Sequence, residues 1–505
     1  MRHRIVSLYR NLTIYGLGDV AVSVVNFLLL PIFVRHLSTI DYGILGLLQS
    51  IEVVAKIVFR FGLDGSFMRM FFDCADDRAR QRLASTIFLF LAIVDGLVLL
   101  PLLVFAGPLA DRLFGITGYD HVLQLSLVNI FVMGFSFIPF HVLRIEERAV
   151  VFSALTLARS VGTIAARLTL VIGLGMGVFG VVLADIVVSA AITLALTRWY
   201  APLLRPMLSR ALLAEALAFG LPRLPHGVSH QIMAVADRYI LRLFVGLHEI
   251  GLYSIGATFG LALKLFLSAF EYAWAPFYFA TMKEPDAKET FRLVTTYSLA
   301  VLVLLAAGAS AVAADVVRVM TTPEFYDAAL VIPWIALGVL LQGVYLLTSI
   351  GLNITKNTRY YPVATGLAAL TSVSANFLLV PRFGMLGAAW SNALAYGTLA
   401  GASYWFSQRV YPIAYERRRL AKIVLAGLVA FGAAEWLVPA SLRPIVGVLL
   451  RGATVVIVYP LALFALRFYA PRELRHIGEL WRRSRTGRGP VPAPAEGGPT
   501  AGTSP

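Results

Sequence analysis

Charged side chains recur at helical spacing within long apolar stretches of this sequence. Glu52, Lys56 and Arg60 lie at positions i, i+4 and i+8, so one helix face would carry all three. Lys264 lies in another apolar stretch, and no acidic residue is three or four positions from it. A charge at the bilayer centre costs about 3 kcal/mol on insertion scales, so each is expected to face a partner or a cavity.

Two interpretations of these charges are open. The first is a self-neutralised ladder of ion pairs that only eases insertion of the helix. The second is a cationic cavity lining, because Glu52 is one acid against the two cations Lys56 and Arg60. A positive surplus of this kind suits a multiply charged anion such as a pyrophosphate.

Three arginines extend the set of candidate anion-binding residues. Arg159 and Arg167 are eight positions apart and therefore lie roughly on one helix face. Arg223 lies between two prolines in Gly220-Leu221-Pro222-Arg223-Leu224-Pro225-His226, where the helix should break. Such breaks are tolerated where the backbone lines a cavity. Arg223 would either contact an anionic substrate or pair with an acid.

Four acidic residues fall within the apolar stretches and could bind a coupling proton or sodium ion. They are Asp19, Asp95, Asp185 and Glu271. For any one of them, a structural ion pair is the alternative. His226 and His230 have a metal-like i, i+4 spacing but no third ligand, so the sequence predicts neither a metal site nor a cofactor.

The elements that must position these residues are membrane-spanning helices. Of the 505 residues, 59% are hydrophobic and 14% are charged, which excludes an ordinary soluble domain. With about 20 apolar residues per span, the sequence predicts an all-α polytopic protein of about fourteen helices. The predicted spans are 11–34, 42–63, 84–106, 119–141, 151–173, 177–199, 211–237, 248–271, 290–314, 327–351, 360–380, 384–407, 420–437 and 444–466.

The distribution of basic residues predicts the orientation. Most of the 43 Lys and Arg residues fall in connections on the same side as the N-terminus, so both termini are expected in the cytoplasm. Because the charges lie between apolar spans, the net charge of +15 does not indicate nucleic-acid binding. Cys74 is the only cysteine, which excludes a disulfide framework. The basic and then Pro/Gly/Ala-rich segment 468–505 is expected to be a disordered cytoplasmic tail.

Short segments recur at a nearly constant offset. Asp41-Tyr42-Gly43-Ile44 is similar to Glu249-Ile250-Gly251-Leu252, 208 positions later, and Gly177-Val178-Phe179-Gly180 to Gly384-Met385-Leu386-Gly387, 207 positions later. This predicts two six-helix lobes in parallel repeat, 1–200 and 201–415, followed by two more helices in 416–467. Lys56 and Lys264 are also 208 positions apart, so the repeat would place them on opposite lobes of an alternating-access carrier.

Several ordered motifs resemble the polysaccharide flippase family. The superfamily of that family also contains the multidrug and toxic-compound extruders and the lipid II flippases. The motifs are Leu30-Pro31, Tyr42-Gly43, Phe61-Gly62-Leu63, Gly220-Leu221-Pro222, Asp237-Arg238-Tyr239-Ile240-Leu241, Gly251-Leu252-Tyr253-Ser254, Ala273-Trp274-Ala275-Pro276-Phe277, Ile354-Thr355-Lys356-Asn357-Thr358, Pro381-Arg382-Phe383-Gly384 and Gly387-Ala388-Ala389.

The resemblance implies a flippase rather than an enzyme. It would move an undecaprenyl-pyrophosphate-linked oligosaccharide from the inner to the outer leaflet of the cell inner membrane, for lipopolysaccharide, capsule or exopolysaccharide biosynthesis. Polymerases and glycosyltransferases of that pathway would be partners. Lipid II flippases carry cations in helices 1, 2 and 8, whereas helix 1 here offers Asp19 and no cation, which argues against lipid II. The alternatives are a cation-coupled drug or metabolite extruder of the same fold and a membrane glycosyltransferase or polymerase.

Overall fold

The computed structural model describes residues 24–469 apart from 26, 147 and 206. Helices make up this part of the chain, and no strand occurs in it. We number the α-helices in chain order after the first segment, of which residues 27–33 are helical. They are α1 Thr39–Val58, α2 Leu63–Asp73, α3 Asp77–Val104, α4 Ala106–Phe114, α5 Asp120–Phe135, α6 Phe137–Ile145, α7 Ala149–Arg167, α8 Gly177–Tyr200, α9 Arg210–Gly220, α10 Leu224–Phe244, α11 Leu247–Gly260, α12 Ala262–Thr281, α13 Ala287–Met320, α14 Ile332–Thr348, α15 Ile350–Ile354, α16 Tyr360–Val410, α17 Arg417–Leu437 and α18 Pro444–Ala465.

Local sequence signals account for where helix α1 starts. Ser38 is the N-cap, and its hydroxyl accepts a hydrogen bond from the backbone N–H of Asp41. The Asp41 carboxylate in turn accepts from the backbone N–H of Ser38 at 2.8 Å. This reciprocal capping box satisfies donors that the first turn leaves free. The segment that begins the predicted repeat is therefore the first turn of a helix.

Ten helical segments among the described residues are long and apolar enough to cross a membrane, or eleven if the bent pair α11–α12 is one span. The protein is therefore a multi-pass membrane protein of all-helical fold. The predicted fourteen spans and this count differ for three reasons. The first predicted span lies largely outside the described residues, the seventh is broken, and the eleventh and twelfth are joined in α16.

Helix α16 is 51 residues long and contains a sharp reversal at Gly384. Gly384 has a φ of 53° and a ψ of −131°, a conformation that glycine adopts without a Cβ clash. A Cβ added to Gly387 would meet the backbone of Leu379. In one straight helix these two residues would be about 12 Å apart along the axis, so the chain turns back on itself. The two segments on either side correspond to the predicted spans 360–380 and 384–407.

The segment around Gly220 also departs from one regular helix. Helix α9 ends at Gly220, a 3₁₀ turn covers Leu221–Arg223, and α10 begins at Leu224. The two halves pack on different partners, because α9 lies against α2 and α3 whereas α10 lies against α16 and α1. Ser66 of α2 donates a hydrogen bond to the carbonyl of Ala216 in α9 at 2.7 Å. The predicted break is therefore present, and the helices on its two sides contact different groups of helices.

The core lies where helices of the two predicted lobes meet. Helix α1 packs along α11, and the residues between them include the fully buried Ile44, Leu47 and Tyr253. Helices α17 and α18 pack against each other and against α13, away from this contact. The contact of α1 with α11 therefore defines the walls of the cavities described next.

Candidate binding cavities

A cavity of about 670 Å³ lies between α1, α10 and the α11–α12 pair. Its polar lining residues are Gln49, Ser50, Gln231, Arg238, Thr258, Lys264 and Ser268, and no carboxylate is among the residues that line it. Lys264 is exposed to the cavity and makes no ion pair with any residue that the structure describes. A cavity with amide and hydroxyl groups and two cations is suited to a polar, anionic ligand.

Arg238 lines this cavity although its charge was not singled out from the sequence. Its neighbour Asp237 is buried and accepts a hydrogen bond from the hydroxyl of the fully buried Tyr253. The Arg238 Nη1 atom lies 3.8 Å from Asp237 Oδ1, and the guanidinium lies 5.7 Å from the centre of the Tyr253 ring. The buried carboxylate and ring thus hold Arg238 at the cavity wall. The signal in the sequence was the Asp237-Arg238 motif, but its spacing did not show which residue faces the cavity.

Lys56 and Arg60 lie in a different place from Lys264. Together with Asp95 they line a narrow cavity of about 30 Å³ between α1, α3 and α5. Lys56 Nζ is 2.5 Å from a Glu52 carboxylate oxygen, and Arg60 Nη1 is 3.1 Å from Asp64 Oδ1. Asp64 thus supplies the second acid that the predicted ladder lacked. One Asp95 carboxylate oxygen is buried without a hydrogen-bond partner among the described residues.

Arg167 and Asp185, which the sequence singled out separately, both line a second polar cavity of about 240 Å³ between α1, α5, α7, α8 and α11. Arg167 donates two hydrogen bonds to the two oxygens of Asp185, at 3.0 and 2.7 Å. Such bidentate geometry gives a strong, oriented ion pair. Gln49 and Thr258 line this cavity and the larger one, so the two cavities adjoin across α1 and α11.

The remaining predicted site residues are dispersed. Arg159 is half-buried, and its Nη2 lies 3.3 Å from the sulfur of Met133. Glu271 lines a separate cavity further along α12. Asp19 and the side chain of Arg223 lie outside the part of the chain that is described. Of the predicted cations, Lys264 lines the cavity between the two groups of helices, whereas Lys56, Arg60 and Arg167 line cavities within or beside the first group.

Comparisons with known proteins agree with this fold. Residues 8–282 match the family described as polysaccharide biosynthesis protein. The structure of the lipid II flippase MurJ in an inward closed conformation superposes with a TM-score of 0.71, covering 92% of this chain and all of that chain at 13% identity. An inward-facing multidrug resistance MATE family transporter of the MOP superfamily gives a TM-score of 0.56 at 15% identity, covering 82% of this chain and 95% of the transporter. No curated protein sequence matches the chain.

Proposed function

Because the chain belongs to the polysaccharide biosynthesis protein family, we propose that it is a flippase for lipid-linked sugar. The substrate is an undecaprenyl-pyrophosphate-linked oligosaccharide, moved from the inner to the outer leaflet of the cell inner membrane by alternating access. Products of the pathway's glycosyltransferases would be its cargo, and a polymerase would use them on the other side. Both termini lie in the cytoplasm in this proposal.

The observation that carries the proposal is the charge of the larger cavity. Lys264 is exposed there without an ion pair to a described residue, and Arg238 lies on the same lining. Removing a cation from water without a counter-ion is costly in a membrane, so such a residue is retained where a ligand supplies the negative charge. A pyrophosphate between lipid and sugar has that charge. The surrounding amide and hydroxyl groups can form hydrogen bonds with the sugar that is attached to it.

A cation extruder of the same fold is the second candidate, since MATE transporters share the fold. A cavity for cations needs acidic side chains, and none is among the residues lining the larger cavity. The acids Glu52 and Asp185 line the adjoining one, but each lies in an ion pair with a basic side chain. The charges therefore favour the anionic substrate.

Reconstituted vesicles provide the test. Fluorescent undecaprenyl-pyrophosphate-linked oligosaccharide, added to one leaflet, should become accessible to an impermeant glycosidase or quencher on the other side only when the protein is present. Sugar-free undecaprenyl pyrophosphate should compete with it, because it carries the same anion. Extrusion of an organic cation from the same vesicles, with no movement of the lipid, would overturn the proposal in favour of the extruder.

A further inference from the structure

A further cavity, of about 310 Å³, lies at the far end of α12, and four of its nine lining side chains are aromatic. It is separate from the cavity that contains Lys264. Helices α12, α14, α15 and α16 all contribute to it. The lining residues are Glu271, Trp274, Ala275, Tyr278, Tyr345, Leu346, Ser349, Asn353 and Tyr361. Part of the wall comes from the sequence motif Ala273-Trp274-Ala275-Pro276-Phe277. No residue of this motif lines the cavity that contains Lys264.

Hydrogen bonds and ring contacts hold the tyrosines in place. Asn353 donates to the hydroxyl of Tyr278 at 3.2 Å, and the Tyr361 hydroxyl donates to the carbonyl of Ser349 at 3.4 Å. The rings of Tyr345 and Tyr361 meet edge to face, with centroids 6.5 Å apart. Three helices thus present tyrosines to one space, which is a preorganised aromatic wall.

Polar groups of this cavity remain available to a ligand. Glu271 is exposed and makes no ion pair or hydrogen bond with a described residue. Tyr345 is half-buried, and its hydroxyl likewise makes no hydrogen bond to a described residue. A small number of polar groups on an aromatic lining is typical of a ligand pocket.

We propose that this aromatic cavity, defined by Glu271, Trp274, Tyr278, Tyr345, Asn353 and Tyr361, binds the saccharide part of the transported lipid. The C–H face of a sugar ring packs on an aromatic ring, while its hydroxyls donate to a carboxylate and exchange hydrogen bonds with amides and phenols. The negative charge of Glu271 opposes phosphate. The inference rests on the proposed function and assigns sugar and pyrophosphate to different sites.

The position of the aromatic cavity along α12 is consistent with separate sites for the sugar and the pyrophosphate. Glu271 follows Lys264 by seven residues and Tyr278 follows it by fourteen, which is about 10 to 21 Å along one helix. By the predicted orientation, the aromatic cavity lies on the cytoplasmic side of Lys264. A lipid-linked sugar of the inner leaflet presents its glycan to the cytoplasm. One extended ligand would then reach Lys264 with its pyrophosphate and the aromatic cavity with its glycan.

The test compares two ligands that differ only in the sugar. Lipid-linked oligosaccharide extracted from cells that lack this protein is one, and undecaprenyl pyrophosphate without sugar is the other. Binding is measured to the full-length protein in nanodiscs. We expect Tyr345→Ala to weaken binding of the glycosylated lipid by about tenfold, and to leave the sugar-free lipid unchanged. Lys264→Ala should weaken binding of both.

Further variants guard against loss of folding. Tyr345→Phe keeps the ring and should retain most of the affinity for the glycosylated lipid. Glu271 is exposed, and Glu271→Ala should lower the affinity for the glycosylated lipid several-fold without changing that for the sugar-free lipid. Trp334→Ala, on α14 and outside the cavity lining, is the matched aromatic control and should bind both ligands normally. Equal effects of Tyr345→Ala on both ligands, or none on either, would overturn the inference while leaving the flippase proposal intact. Failure of the unaltered protein to bind either lipid would instead reject the proposed function.

Discussion

Gly43 and Gly251 each lie directly against the backbone of the helix that carries the other. A Cβ added at Gly43 would clash with the carbonyl oxygen of Leu247, and one at Gly251 would clash with that of Thr39. Both glycine-to-carbonyl pairs follow the 208-residue offset of the predicted repeat. In a two-fold arrangement each contact between two helices occurs twice, with the partners exchanged. The two glycine contacts between α1 and α11 have this reciprocal form. They support the proposed repeat and close the space between the two groups of helices at one end.

This contact must open if transport proceeds by alternating access. The Thr39 hydroxyl and His248 Nδ1 are 2.7 Å apart across it. Thr39→Cys with His248→Cys, in a Cys74→Ser background, should therefore form a disulfide that stops flipping in vesicles, and reduction should restore it. The two single-cysteine variants are the controls and should flip lipid under both conditions. Full activity of the oxidised, cross-linked protein would exclude movement at this contact.

Substitution of Lys264 tests where the pyrophosphate binds. Lys264→Ala is expected to cut flipping about tenfold or more, since a charge-assisted contact is worth roughly 1.5–3 kcal/mol, and Lys264→Arg should keep part of the activity. The repeat predicts the same loss for Lys56→Ala, although Lys56 lines a different cavity from Lys264. Lys56 also pairs with Glu52, so the double variant Glu52→Gln, Lys56→Ala separates the two roles. If the double variant recovers normal flipping, Lys56 serves only as the partner of Glu52. Normal flipping by Lys264→Ala at normal protein level would remove Lys264 from the site.

Asp95 is the acid whose environment best suits ion coupling. It is half-buried in α3, and one of its oxygens has no hydrogen-bond partner among the described residues, whereas Asp185 is held by Arg167. Asp95→Asn should abolish the acceleration of flipping by an imposed proton or sodium gradient, while leaving lipid binding unchanged. Asp185→Asn should instead lower the amount of folded protein, because it leaves Arg167 unpaired. A normal gradient response of Asp95→Asn would contradict this assignment.

A buried ion pair fixes the last two helices to the rest of the protein. Asp315 of α13 and Arg451 of α18 are 1% and 5% exposed, and Arg451 donates to Asp315 and to the carbonyl of Val438. Arg451→Met should lower the free energy of unfolding by about 3–5 kcal/mol, because it leaves a buried carboxylate without its partner. Adding Asp315→Leu should recover most of that loss. Thermal unfolding in detergent measures both, and equal midpoints for the single and double variants would show that the pair is not coupled.

The orientation can be checked with single cysteines in the Cys74→Ser background. Arg443 precedes α18 and Arg417 begins α17, and both are exposed. Arg443→Cys should react with an impermeant thiol reagent added to intact cells, and Arg417→Cys should react only after the cells are opened. Labelling of Arg417→Cys in intact cells would reverse the predicted orientation.

Several features follow from the sequence alone because they depend on composition and local pattern. The apolar spans, the family resemblance, the break after Gly220 and the boundary between spans 360–380 and 384–407 are of this kind, and the structure and the family match agree with them. Apolar length predicts a membrane helix, and proline or glycine at a fixed place predicts where it bends. The exact number of spans stays a prediction, since part of the first span is outside the described residues.

Only the tertiary structure decided which charges face a shared space. Helical spacing placed Glu52, Lys56 and Arg60 on one face, but it could not show that α1 ends at Val58, before Arg60, or that Lys264 would line another cavity. It also could not bring Tyr278, Tyr345 and Tyr361 together, because they belong to three helices far apart in the chain. Periodicity specifies the side of a helix that a residue occupies, whereas the packing of one helix against another determines what that side meets.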